Sequence, residues 1–313
     1  MNEAPESILL WHQGALGDLL LAGPALQALR QRFPRAHLWA VGHPERWRLL
    51  APTLGLEEVW DGHEALWAWL YCEGGPLPPE VRRRLEGMDL ALVFRPRPPD
   101  TLARRLRDAG VPQVVWVPSA PGEAQEPLSR LQLRHLAPVG VREPLSPFRL
   151  SGDGAAPWPE ELPAAGFLAV APGSGSPAKN WPLEYYYEVV RTLSWESPRA
   201  VVWVTGPAEA AWQPYLAGLA RAQGHYLLHD RPLPEVARVL AAARLYLGND
   251  SGLTHLAAAA GARRVLALFG PTDPVVWAPK GEGVTVLRAP AGDLRQLRPG
   301  RVLEAARRLW AGR

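Results

Sequence analysis

The chain has 313 residues, 47% hydrophobic and 21% charged, with a formal net charge of +3; this is the profile of an ordinary globular protein long enough for two domains. Its single cysteine, Cys72, excludes an internal disulfide framework and a Cys-based zinc site, and its eight histidines are scattered with no metal-ligand spacing, so no metal is expected. The small charge excess does not suggest a nucleic-acid surface. The N-terminal residues carry no signal and the first apolar run, 8–11, is too short to span a bilayer, so a cytoplasmic protein is expected.

In chain order, 7–12 reads as a strand and 19–33 as a helix with apolar residues at helical spacing. Further strands are expected at 37–42, 57–60, 88–94 and 113–117, and a helix with an Arg-rich exposed face at 101–109. Residues 60–79, with Trp67, Trp69 and Tyr71, fit a helix or a mobile loop equally well. A Gly-, Pro- and Ala-rich stretch, 151–165, reads as a linker. It separates a domain at 1–155 from a second at 156–313. In the second half, strands are expected at 166–171, 200–205, 225–228, 244–247 and 264–269. Helices are expected at 183–193, 208–223, 234–243 and 251–260, with a closing helix at 301–311 that is a candidate to pack back on the first domain. Near-continuous apolar strands alternating with helices imply parallel sheets covered on both faces. Two such doubly wound halves facing each other make a cleft at the carboxyl ends of their strands.

Three strand-to-helix turns fall at that edge. In Gly-Asn-Asp-Ser-Gly-Leu-Thr-His, residues 248–255, Asp250 ends a strand, Ser251 is placed to cap the next helix, and Gly252 lets a ligand approach the free N–H groups, which favour an anion. His255 reads either as a core histidine or as a phosphate or sugar contact. In the turn 171–182, Lys179 follows Gly173, Ser174 and Ser176. Lysine is otherwise found only at position 280, and a lone cation beside hydroxyls and loop N–H groups suits a phosphate; the alternative is a solvated loop lysine. Trp181 is expected to pack. In Gln-Gly-Ala-Leu-Gly-Asp, residues 13–18, Gly14 and Gly17 lack dinucleotide-fingerprint spacing. Asp18 there is either a favourable first-turn charge or a general base. Glu209, after Gly206-Pro207-Ala208, is either a ribose acceptor or a first-turn acid. Arg95 and Arg97, after the strand at 88–94, either bind an anionic acceptor or are solvated. The turn 270–274 is a candidate rim.

Three such turns suit a phosphorylated ligand. Their ordered set is Gly-Ala-Leu-Gly-Asp, Pro-Gly-Ser-Gly with Lys-Asn-Trp-Pro, Gly-Asn-Asp-Ser-Gly-Leu-Thr-His and Phe-Gly-Pro-Thr-Asp-Pro. It resembles glycosyltransferase family 9, the ADP-heptose:lipopolysaccharide heptosyltransferases. The resemblance implies a GT-B fold of two Rossmann-like domains and metal-independent, inverting transfer of a heptose from ADP-heptose to a cell-envelope glycan or glycolipid. No cofactor is implied; the nucleotide sugar is the substrate. Asp18 would then be the base and Lys179 the cation on the donor diphosphate. Gly14, Gly17, Gly173, Ser174, Ser176, Asp250, Ser251, Gly252, Leu253 and His255 would line the donor site, and Glu209 would hold the ribose.

One segment departs from the family. Its members carry Arg and Lys after the third strand to grip an anionic lipid core, whereas 61–75 has neither and is acidic and Trp-rich. This points to a less anionic acceptor held by this segment through Trp67, Trp69 and Tyr71, with Arg95 and Arg97 as a local anionic contact; the alternative is that these aromatics are core. Peripheral contact with the inner membrane is a separate expectation. The competing readings are a sugar-nucleotide epimerase or hydrolase and a non-catalytic nucleotide-sugar-binding protein. A nicotinamide dehydrogenase is disfavoured by the glycine spacing.

Overall fold

The computed structural model describes residues 4–123, 125–142, 144–151, 156–196 and 199–312. The chain forms two compact units, Met1–Phe148 and Arg149–Arg313. The expected boundary at 155/156 is later than this one, and residues 152–155 of the expected linker lie outside the described residues. The rest of that stretch is not free. The Leu150 N–H donates to Ala259 O at 2.9 Å, Arg238 donates to Ala156 O and stacks on Trp158, and Leu162 is buried. Ala156, Pro159 and Leu162 are buried, whereas Pro157, Ala164 and Ala165 are exposed.

The first unit runs β1 (Ser7–His12), α1 (Leu16–Arg32), β2 (His37–Gly42), α2 (Pro44–Leu54), β3 (Leu56–Asp61), α3 (Pro79–Leu85), β4 (Leu90–Arg95), α4 (Asp100–Asp108), β5 (Gln113–Pro118) and α5 (Leu128–His135). Its five strands lie in the order β3-β2-β1-β4-β5, all parallel. β1 is central because Ile8, Leu9, Leu10 and Trp11 are buried on both faces, as a strand covered by helices on each side requires. Helix α1 packs on α5. Gly23 permits this face to close: a Cβ there would meet the Phe148 ring at 2.4 Å.

The second unit runs β6 (Leu168–Ala171), α6 (Leu183–Glu196), β7 (Val201–Thr205), α7 (Gln213–Gln223), β8 (Tyr226–His229), α8 (Leu233–Ala242), β9 (Leu245–Asn249), α9 (Gly252–Ala260), β10 (Val265–Phe269), α10 (Pro274–Trp277), β11 (Val284–Arg288) and α11 (Pro299–Trp310). Its six parallel strands are ordered β11-β10-β9-β6-β7-β8. α11 contacts α6 and β9, and Val302, Ala305 and Ala306 are buried in the second unit's own core. Both sheets are doubly wound. In each, the chain leaves the first strand in one direction and returns to its other side, giving switch points between β1 and β4 and between β6 and β9.

Candidate functional site

At the β6/β9 switch point of the second unit, the loops after β7, β6, β9 and β10 leave neighbouring strands at one edge. Asp250 follows β9 and is 5% exposed. Its Oδ2 accepts from Lys179 Nζ at 2.8 Å and from the Thr272 hydroxyl at 2.7 Å, and His255 Nε2 lies 3.8 Å from Oδ1. Burial alone would raise this carboxyl; His255, Lys179 and Thr272 outweigh it and hold the pKa at about 2. Asp250 is therefore a fixed anion that anchors the ammonium. Lys179 remains about one-third exposed, and one of its three N–H donors is engaged by Asp250. Beside it, α9 opens at Gly252 and Leu253 with first-turn N–H groups free of helical partners. The helix continues as an apolar run to Gly261, whose φ of 92° ends it. Ser251 is the N-cap residue but makes no side-chain cap bond. Thr254 instead binds Asn249 O and Tyr246 Oη. His255 is 5% exposed and faces Asp250.

The turn after β6 is built from the inside. Asn249, fully buried, accepts from the Trp181 N–H at 3.0 Å and from the Tyr186 hydroxyl at 2.9 Å, and donates to Pro172 O at 2.6 Å. Trp181 packs as expected, 1% exposed, and donates to Leu297 O. The Ser174 hydroxyl is not open to a phosphate. It lies 2.7 Å from both Ser176 O and Asn180 Oδ1, closing the loop. The Ser176 side chain is half-buried. Glu209 is 2% exposed. Its Oε2 accepts from the Gly206 N–H at 2.7 Å, and Oε1 sits so close to Gly173 that a Cβ there would be 1.8 Å away. Burial raises its pKa against the opposing N–H bonds from Gly206 and Gly173. Glu209 thus braces two loops from the first turn of a short 3-10 helix, Pro207–Glu209. Gly173 is a glycine because that carboxyl needs the space.

At the β1/β4 switch point of the first unit, Asp18 sits in the first turn of α1 and its Oδ2 accepts from the Ala15 N–H at 3.2 Å. Gly14 lies between two side chains: a Cβ on it would meet His12 Cε1 at 2.8 Å and Asp18 Oδ2 at 3.1 Å. The Gly14 N–H donates to His12 Nδ1 at 3.2 Å and Gly14 O accepts from Arg46 at 2.8 Å. Gly17 is the second residue of α1.

After β4, Arg95 is half-buried. It stacks on Tyr71 with its guanidinium carbon 5.4 Å from the ring centroid and donates to the Tyr71 hydroxyl at 3.1 Å; that hydroxyl donates to Gln13 at 3.1 Å. A cavity of about 480 Å³ opens here, lined by Tyr71, Arg95, Arg97, Asp100, Thr101 and three prolines. Burial raises the Tyr71 pKa. Trp67 belongs to the core, correcting the expectation that it faces an acceptor. It lies in a short 3-10 turn, Ala65–Leu70, is 1% exposed, packs edge-on to Trp11 at 5.3 Å and donates to Asp61 O. Only Trp69 and Tyr71 remain exposed, at 47% and 40%. The buried Arg105 pins this segment to α4 through Trp69 O and Gly75 O.

The residues sequence reasoning missed are Thr272, Asn249, His12, Arg46 and Gln13; Tyr71 was named with Trp67 and Trp69, but without its pairing to Arg95. Thr272 and Asn249 stood inside quoted motifs; His12 and Arg46 carried no sequence signal. Among the described residues no three His, Cys, Asp or Glu side chains group as a metal site, and no helix is long and apolar enough to cross a membrane.

The sequence profile of glycosyltransferase family 9 (heptosyltransferase) matches residues 133–305. Lipopolysaccharide heptosyltransferase 1 of Escherichia coli O18:K1:H7 is 36% identical over 120 residues, 38% of this chain and 36% of that protein; the matched stretch is thus a minor part of the relative's length. The solved structure of E. coli ADP-heptose lps heptosyltransferase II superposes with a TM-score of 0.76 at 22% identity, covering 98% of this chain and 99% of the other. E. coli heptosyltransferase WaaC with ADP gives 0.75 at 20%, covering 97% and 99%. At these identities the structural likeness concerns the fold, which is the expected GT-B arrangement of two Rossmann-like domains. The profile, spanning more than half of the sequence, carries the assignment: the chain belongs to glycosyltransferase family 9.

Proposed function

We propose that the chain is an inverting, metal-independent glycosyltransferase that moves a heptose from ADP-heptose to a cell-envelope glycan or glycolipid. The observation that carries this reading is the Lys179–Asp250–Thr272 cluster beside the start of α9. In the reaction the bond between the sugar anomeric carbon and the diphosphate oxygen breaks and an acceptor oxygen bonds to the same carbon. The leaving ADP gains negative charge, which Lys179 and the N–H groups of Gly252 and Leu253 stabilise. Lys179 and α9 together supply the charge stabilisation that a divalent cation would otherwise give, so no cofactor is needed. Asp18, on the first unit, takes the acceptor proton. Gly14 and Gly17 give the Asp18 turn its close backbone, and Gly173, Ser174 and Ser176 shape the Lys179 loop. Glu209, with His255, accepts from donor hydroxyls. The names of the relatives, which include an ADP-heptose enzyme and an ADP complex, support an ADP-linked donor.

On the acceptor side, the Tyr71–Arg95 pair, Arg97 and the exposed Trp69 form the binding face. Stacked aromatic and guanidinium planes beside a proline-walled cavity suit a sugar ring with a local anionic group, and the acidic 61–75 segment disfavours a heavily phosphorylated core. A glycolipid acceptor implies work at the cytoplasmic membrane face by a protein that touches the bilayer peripherally. The test is a thermal-shift panel of ADP- and UDP-sugars, because a ligand that binds the native state raises its apparent stability. ADP-heptose should give the largest shift. A larger shift with a UDP-sugar would refute the ADP-heptose donor.

A further inference from the structure

The buried end of β1 holds a titratable group that the proposed reaction does not use. His12 is 2% exposed and packed between Phe94, at 5.5 Å, and Trp47, at 6.4 Å. Its Nδ1 accepts the Gly14 N–H, so the ring proton sits on Nε2. That nitrogen is buried with no hydrogen-bond partner among the described residues. An orphaned buried donor is unfavourable, and an aliphatic side chain would avoid it. What an aliphatic side chain lacks is an acceptor for the Gly14 N–H. Arg46 holds the opposite side of the same turn through Gly14 O. Gly14 is therefore clamped at both its polar groups, and the space a Cβ on it would occupy is bounded by Asp18 Oδ2, 3.1 Å from that position.

Resting on the assignment of Asp18 as the base, we propose that His12 is a positioning residue: by accepting the Gly14 N–H, together with Arg46 on the Gly14 carbonyl, it fixes the turn against which the Asp18 carboxylate is oriented toward the acceptor hydroxyl. Burial, and then the Arg46 charge, keep the ring neutral, so Nδ1 remains an acceptor throughout the physiological range. Misplacing a base by a fraction of a bond length costs rate without changing how the donor binds on the other unit.

The experiment compares His12→Leu, His12→Asn, Asp18→Asn and the double variant Asp18→Asn/His12→Leu, measuring kcat, acceptor KM and ADP-sugar Kd. Asn places an oxygen near the position of Nδ1. His12→Leu is expected to lower kcat about ten-fold or more with donor Kd unchanged, His12→Asn to recover kcat to within about three-fold of the unmodified protein, and the double variant to be no slower than Asp18→Asn alone. Full kcat in His12→Leu, or loss factors that multiply in the double variant, would overturn the proposal. Should His12→Leu fail to fold, Arg46→Met carries the same test through Gly14 O, with a kcat loss of about five-fold expected that vanishes in the Asp18→Asn background. Unchanged kcat in that variant overturns the proposal. If Asp18→Asn itself transfers at full rate, the base assignment falls and the proposal with it; an inactive Asp18→Asn beside a fully active His12→Leu removes the proposal alone.

Discussion

The His12 environment makes a quantitative pH prediction. Desolvation by burial lowers its pKa from 6.5 to about 4, with Arg46 repulsion acting in the same direction. The unfolded chain therefore binds a proton below pH 6.5 that the folded unit refuses until about pH 4. The His12 contribution to folding stability falls as pH drops through that window. The slope approaches about 1.4 kcal/mol per pH unit and the total is about 3 kcal/mol. Between pH 7 and pH 5 the loss is about 2 kcal/mol. The Asp250 linkage does not contaminate this interval: a carboxyl held at about 2 contributes stability above its unfolded value and loses it only as pH falls toward the folded value, below the His12 window. Two units make a single global transition unsafe to assume, so the assay is site-resolved. Imidazole ¹⁵N NMR follows the His12 titration and tautomer directly, and urea unfolding at pH 7, 6 and 5 is compared between the unmodified protein and His12→Asn. The expected result is an Nε2–H tautomer that resists protonation to about pH 4, with a pH slope that the Asn variant loses. A His12 pKa near 6.5, or an equal slope in both proteins, would refute the buried, Gly14-bonded ring.

Four further outcomes follow from the same geometry. Lys179→Ala should weaken ADP-sugar binding about 10- to 100-fold through loss of a charge-assisted contact and lower kcat as well; an unchanged Kd for every nucleotide diphosphate tested would make Lys179 a bystander. EDTA should leave transfer intact, checked against a strict Mg²⁺ or Mn²⁺ requirement. Trp67→Ala should cost about 3–5 kcal/mol of stability as a core truncation, whereas Trp69→Ala should spare stability and raise acceptor KM; thermal unfolding and acceptor titration separate the two. Gly173→Ala should destabilise the second unit by forcing Glu209 away from the loop, read by a lower midpoint for that unit.

Much of the fold was legible because parallel strands buried on both faces are written as unbroken apolar runs. Residues 7–12, 37–42 and 113–117 fall on β1, β2 and β5, and 264–269 falls on β10 to within a residue. β11 was missed: an edge strand with half-buried side chains has no such run. α2 was missed because its apolar residues are interleaved with Arg46, Arg48 and Pro52, and α5 because it is short. The loop residues around Lys179 and Asp250 were legible as turn motifs, since glycine, serine and a rare lysine at a strand end stand out. What these residues bond to was not legible. Nothing in the sequence says that the Ser174 hydroxyl turns inward to Asn180, or that Glu209 faces Gly173. The Trp67/Trp69 alternation reads alike in a loop, a helix or a 3-10 turn, and only packing against Trp11 decides which ring is core. His12 carried no signal because its hydrogen bond is to the part-buried backbone N–H of Gly14, two residues away.

The most direct measurement is transfer by Asp18→Asn, with donor binding measured in parallel and the anomeric configuration of the product read by NMR. A general base removed without loss of the fold should leave the ADP-heptose Kd unchanged and lower kcat about 10²- to 10⁴-fold, while the unmodified protein yields product of inverted configuration. Full-rate transfer by the variant, or product of retained configuration from the unmodified protein, would contradict a mechanism in which Asp18 deprotonates the acceptor opposite a leaving diphosphate held by Lys179.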